Sequence, residues 1–132
     1  MTKKVFFQSV SNGQVDIIQL FLDILQTQKI RYCIIGGLAV NAYVEPVVSL
    51  DLDIIITAES IDELVKEAKK VFKIERFPHS INLSSPKSDL RIQIQIDSRY
   101  QVFISRAKRK NVLGYPMMIA AIEDVLQGKL WA

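Results

Sequence analysis

The chain has 132 residues, 49% of them apolar, with 17 lysines and arginines against 14 aspartates and glutamates and a formal net charge of +3. That size and apolar share build one globular domain, residues 1–132, with a real core, and they exclude a disordered chain. No apolar run approaches the ~20 residues needed to cross a bilayer, and the opening Met-Thr-Lys-Lys-Val-Phe-Phe-Gln lacks the apolar region of a signal peptide, so a cytoplasmic protein with no membrane partner is expected.

In chain order, Val15, Ile18, Leu22 and Leu25, with Ile17, Phe21 and Ile24 beside them, follow helical spacing and predict a packing helix over 14–28. Residues 32–35 read as a buried strand. It contains the single cysteine, Cys33, which excludes an internal disulfide and a Cys-based zinc site and reads as a small buried hydrophobe. Gly36-Gly37 follows, then a short helix over 38–43 that Glu45-Pro46 ends, because the residue before proline is pushed out of the helical region. Ser49-Leu-Asp-Leu-Asp then opens a second apolar strand.

Strand alternation makes a definite statement about that run: Leu50, Leu52, Ile54 and Ile56 share one face, and Asp51, Asp53, Ile55 and Thr57 share the other. The two carboxylates stand roughly 7 Å apart at Cα. With nothing basic between them they repel when both ionise, so folding them together asks for a cation or a shared proton. Magnesium, or manganese in its place, held by the carboxylates together with substrate phosphates, meets that need. Gly36 and Gly37 supply the complement, since missing Cβ atoms let a phosphate approach the backbone at the start of a helix whose N–H groups favour an anion. Phosphate on one side and metal-binding acids on the other describe a nucleoside triphosphate site.

Gly36-Gly37-Leu38-Ala39 followed by Ser49-Leu50-Asp51-Leu52-Asp53 resembles the signature of the nucleotidyltransferase-fold superfamily, which includes DNA polymerase beta. The Gly-Gly-x-Ala form is most similar to small bacterial AbiEii-like proteins, several of them toxins of toxin–antitoxin pairs. The ending Ile122-Glu-Asp-Val-Leu-Gln-Gly-Lys-Leu-Trp-Ala resembles their final helix, and Lys129 matches a lysine there. The resemblance implies a minimal nucleotidyltransferase fold of the α/β (α+β) class, a mixed β-sheet flanked by helices. It also implies transfer of a nucleoside monophosphate from an NTP to an acceptor: RNA, a protein or a small molecule. Ser49 falls on the small hydroxyl position of the motif. Val47 stands where many similar proteins carry an arginine.

The rest of the chain is read for what surrounds the acid pair. Ser60-Ile-Asp-Glu63 predicts a capping box opening a helix to about residue 72, with Ile61, Leu64, Val65, Ala68 and Val71 as its buried stripe. A short strand over 72–77, a loop holding His79, a strand from Ile81 and a turn over 84–88 come next. Residues 90–97 give the clearest alternation: Leu90, Ile92, Ile94 and Ile96 against Arg91, Gln93, Gln95 and Asp97. A third carboxylate, implied by the resemblance, belongs on such a strand. Asp97 is its candidate as catalytic and metal-binding residue, although Gln93 and Gln95 hold the central positions. Arg91 neutralises triphosphate charge or pairs with Asp89 or Asp53.

A short helix over 100–107, a pair of strands around Gly114-Tyr-Pro116 and a final helix over 122–131 complete the chain. Glu123 and Asp124 suit the positive first turn of that helix, and Lys129 either contacts phosphates or caps its last turn. Arg99, Arg106, Lys108, Arg109 and Lys110 form a basic cluster, either a solvated face or a patch for RNA. Two function classes follow. One is a metal-dependent transferase using Asp51, Asp53 and Asp97; the other is a non-catalytic module binding a protein partner or RNA. A second subunit of the same chain is a further candidate partner.

Overall fold

The computed structural model describes residues 16–41, 51–112 and 114–131. Helix α1 (Ile17–Thr27) opens on Asp16, whose side chain accepts a hydrogen bond from the Gln19 backbone N–H, and it buries Ile17, Ile18, Phe21, Leu22 and Leu25. Strand β1 (Tyr32–Ile35) runs directly into α2 (Gly36–Asn41), two residues earlier than the expected short helix. Strand β2 (Asp51–Ile56) carries the acid pair. A 3₁₀ turn (Ala58–Ser60) then leads into α3 (Ile61–Ala68).

Next come β3 (Lys73–Arg76), β4 (Ser80–Ser85) and β5 (Ser88–Gln95), followed by a second 3₁₀ turn (Ser98–Tyr100) and α4 (Phe103–Arg106). Strands β6 (Lys108–Val112) and β7 (Tyr115–Ile119) form the expected pair around Gly114, and α5 (Ile122–Trp131) closes the described chain. The expected α/β class is what the structure has: all strands join one seven-stranded mixed sheet of order β3-β4-β5-β2-β1-β7-β6. The pairings β2 with β5 and β1 with β7 are parallel, and the other neighbours are antiparallel. No described helix is long and apolar enough to cross a membrane.

Alternation in β5 is complete: Leu90, Ile92 and Ile94 are buried, and Arg91 and Gln93 are exposed. Because paired residues point to the same side, Ile92 and Ile94 share a face with Leu52 and Ile54 of β2 and with Ile81 and Leu83 of β4. These residues join those of α1 and α3 in one core, where Phe21 meets Phe72 edge to face at 6.3 Å. The opposite face of β3, β4 and β5 presents Lys73, Glu75, Asn82, Arg91 and Gln93, so this half of the sheet is polar on one side.

Two local expectations fail for identifiable reasons. Ser60 makes no side-chain cap on α3 because it already has helical backbone angles as the last residue of the 3₁₀ turn, so its hydroxyl does not face the first free N–H groups. Val71 is 45% exposed because α3 ends at Ala68 and Phe72 takes the buried place in the turn that follows.

Cys33 is fully buried on β1, as its sequence context suggests. Burial first, and then the charge of Asp124, push its thiol from 9.0 up to about 12. The unfolded thiol ionises at lower pH than the folded one, so its contribution to stability is complete below 9.0 and is lost progressively as pH rises toward about 12. Urea denaturation at a series of alkaline pH values should show stability falling over that window, and Cys33→Ala should flatten part of the fall; an unchanged slope in the variant would contradict this assignment.

Candidate active site

Strand β1 lies antiparallel to β2 with Ile35 opposite Asp53. The next residue, Gly36, has φ +72°, a region that L side chains rarely adopt. A Cβ there would also collide with the Asp53 carboxylate at Oδ2. Two independent constraints thus require glycine where the chain leaves the sheet, and both exist because the backbone turns directly over an acid. Gly37 follows in the first turn of α2, half-buried.

Asp51 and Asp53 lie on one face of β2, both partly exposed. Burial is the largest influence on Asp53 and the charge of Asp51 the next; together they push its carboxyl up to about 6 against the opposing pull of Lys129 and Arg91. Arg91 sits beside Asp51 in the parallel register; its Nε donates to Asp51 Oδ1 at 3.1 Å, and its Nη2 lies 3.1 Å from the same oxygen in an ion pair. With the Arg91 side chain 70% exposed, this pair contributes at most about 1 kcal/mol. Lys129 reaches the site as a charge from α5, which packs on α2.

The parallel register sets Gln93 opposite Asp53, and the antiparallel pairing beyond it sets Asn82 opposite Gln93. A polar row of Asp53, Gln93 and Asn82 therefore crosses the sheet. Asp97 is not brought to this row. It lies past the end of β5, about 13 Å along the strand direction from Gln93. There it caps the second 3₁₀ turn and accepts from Arg99 Nη2 at 2.9 Å, and the Arg99 hydrogen bonds hold its carboxyl below the usual range. Ser49 falls outside the described residues.

The structure thus gathers Gly36, Gly37, Asp51, Asp53, Arg91 and Lys129 and leaves Asp97 apart. Two carboxylates, one of them raised by burial and by its neighbour, are a donor set that fits a single divalent cation shared with phosphate oxygens. Among the described residues no group of three or more His, Cys, Asp or Glu side chains could hold a metal.

Three supporting contacts escape sequence reading. Gln101 accepts from the Ala58 N–H and donates to the Ile56 carbonyl, both at 3.0 Å, fixing the end of β2. Arg106 makes a two-pronged pair with Asp124 at 2.8 Å, so Asp124, in the first turn of α5 as expected, is also a buried anchor for that helix. Arg106 and Arg99 are both ion-paired, which removes two charges from the expected basic patch. Isolated polar residues spaced far apart in sequence carry no periodic signal, and only the register brings them together.

Substituting Gly36→Ala should cost about 1–2 kcal/mol in urea denaturation from the backbone angle alone, with the displaced Asp53 adding to it. A neutral result would mean that the backbone does not turn over Asp53 as described.

No family model matches the sequence, and no curated protein matches it. Solved structures do match in fold. The lincosamide antibiotic adenylyltransferase LnuA, bound to lincomycin, aligns with a TM-score of 0.64 at 16% identity, over 83% of this chain and 82% of its own. ANT(2″)-Ia in complex with adenylyl-2″-tobramycin aligns with a TM-score of 0.67 at 18% identity, over 90% of this chain and 75% of its own. A tRNA-processing enzyme aligns with a TM-score of 0.51 at 20% identity, over 86% of this chain but 34% of its own. With its mixed sheet, its acid pair on β2 and its glycine turn over Asp53, this chain has the nucleotidyltransferase fold.

Proposed function

We propose that the chain is a metal-dependent nucleotidyltransferase that moves a nucleoside monophosphate from a nucleoside triphosphate to an acceptor hydroxyl. The observation that supports it best is the Gly36 backbone turning directly over Asp53, one of two carboxylates that share a strand face. The likeness in fold to a lincosamide antibiotic adenylyltransferase, and to a protein solved in complex with adenylyl-2″-tobramycin, supports the same reaction class.

In this reading Asp51 and Asp53 hold magnesium or manganese together with the phosphates, and the Gly36-Gly37 backbone accommodates the triphosphate. Lys129 and Arg91 supply positive charge near it, and Ser49 is a further candidate contact. The acceptor hydroxyl oxygen forms a bond to the α-phosphorus and gives up its proton to solvent while the bond to pyrophosphate breaks in line. A bound divalent cation would offset the charge that develops on the phosphoryl oxygens and the leaving pyrophosphate. Asp97, held by Arg99, has no part in this step.

Gln93 opposite Asp53 favours a second reading, in which the chain binds nucleotide without transferring it. The two readings diverge with α-phosphate-labelled NTP. A transferase consumes it with release of pyrophosphate in the presence of acceptor, whereas a binding module stays inert and gains turnover only when Gln93→Asp supplies the third carboxylate.

Thermal-shift titration with each of the four ribonucleoside triphosphates tests the shared premise. At a hundred times Kd the nucleotide should stabilise the fold by about 2.7 kcal/mol, only with magnesium present, and Asp53→Ala should remove the effect. No shift with any nucleotide, in a wild type and variant that both fold, would refute both readings.

A further inference from the structure

Beside the acid pair is a pocket of about 90 Å³ lined by Asp51, Asn82, Arg91 and Gln93. Of these residues Asn82 has no role in the reading above. Asn82 lines it, and its Oδ1 is buried and has no hydrogen-bond partner among the described residues. A buried amide oxygen left unpaired costs free energy, so its presence at the wall of a pocket points to a ligand group that donates to it.

The remaining lining narrows the chemistry. With neither metal nor nucleotide bound, Arg91 and Asp51 are paired with each other, so their charges offset and the pocket favours an uncharged group. The exposed Gln93 amide both donates and accepts, which a hydroxyl matches. Among the described residues no aromatic or aliphatic side chain lines the pocket, and these residues offer a nucleobase nothing to stack on. The space holds about three water molecules, the size of a vicinal diol.

We infer that this pocket seats the diol edge of an uncharged carbohydrate acceptor, with Asn82 Oδ1 accepting from one hydroxyl and Gln93 bonding the other. The inference rests on the nucleotidyltransferase reading for the word acceptor, but the binding itself is independent of transfer. Asn82 and Gln93 are then specificity-determining residues: they select a hydroxylated, neutral ring and place it one strand away from Asp53.

The test follows the side-chain NH₂ signals of Asn82 and Gln93 in ¹H–¹⁵N spectra, assigned by their loss in Asn82→Val and Gln93→Leu. The probes are methyl α-D-glucopyranoside, its cationic counterpart glucosamine and a short oligoadenylate, each with and without Mg–ATP. The neutral sugar should shift both amide signals saturably in the millimolar range. Asn82→Val should weaken the sugar about tenfold, read from backbone signals of β4 and β5, while the thermal shift given by Mg–ATP persists.

No response to the neutral sugar, or an equal response to glucosamine or oligoadenylate, overturns the proposal. Because the Mg–ATP shift is measured on the same samples, loss of that shift in the wild type separately marks failure of the nucleotidyltransferase reading. Backbone spectra confirm that each variant is folded, and Asn82→Thr, a second β-compatible substitution, should reproduce the weakening; normal sugar affinity in both variants also overturns the proposal.

Discussion

The site depends on one steric fact: the chain reverses from β1 into α2 directly over the Asp53 carboxylate. Ile35 is the last strand residue and faces Asp53 across the sheet, so the turn begins with no intervening residue to lift the backbone away. A side chain at position 36 is forbidden both by the collision and by the left-handed backbone angle. In exchange, the acid is half-covered by peptide rather than by an apolar side chain, and it feels Asp51 as its nearest like charge. Burial and repulsion act in the same direction on Asp53. The arrangement is therefore short of positive charge by construction, and Lys129 and Arg91 supply only part of it.

The positive charge is delivered by elements whose placement is fixed elsewhere. Arg91 arrives through the β2–β5 register, one residue pair away from Gln93. Lys129 arrives through α5, which is anchored at its start by the buried Asp124 on Arg106 and at its end by Trp131. Gly128, immediately before Lys129, faces Tyr100, where a Cβ would make an ordinary contact 3.5 Å from the ring. The core thus sets where the charges stand.

Much of this was legible in the sequence because it is periodic or local. The strand 32–35, the alternation in β5 and the final helix follow from hydrophobic spacing, and the shared face of Asp51 and Asp53 follows from strand geometry. The Gly-Gly pair marked the turn. What was not legible depends on which strand lies beside which. Asp97 shares the parity of Gln93 on its strand, so alternation alone cannot rank them; only the register shows Gln93 opposite Asp53 and Asp97 beyond the sheet. Ser60 misled for a different reason, since a 3₁₀ turn ahead of the helix had already bent its backbone.

Trp131 is the chain's single tryptophan. Its ring is stacked on Phe103 at 5.6 Å, met edge-on by Tyr100 at 5.2 Å and covered by the Arg99 guanidinium at 4.9 Å. It sits at the end of the helix that carries Lys129, two residues away. The molecule therefore contains its own optical probe: the emission of one indole reports whether that helix is seated, without any label. Docking of the phosphate-side charge can be followed in real time by light alone.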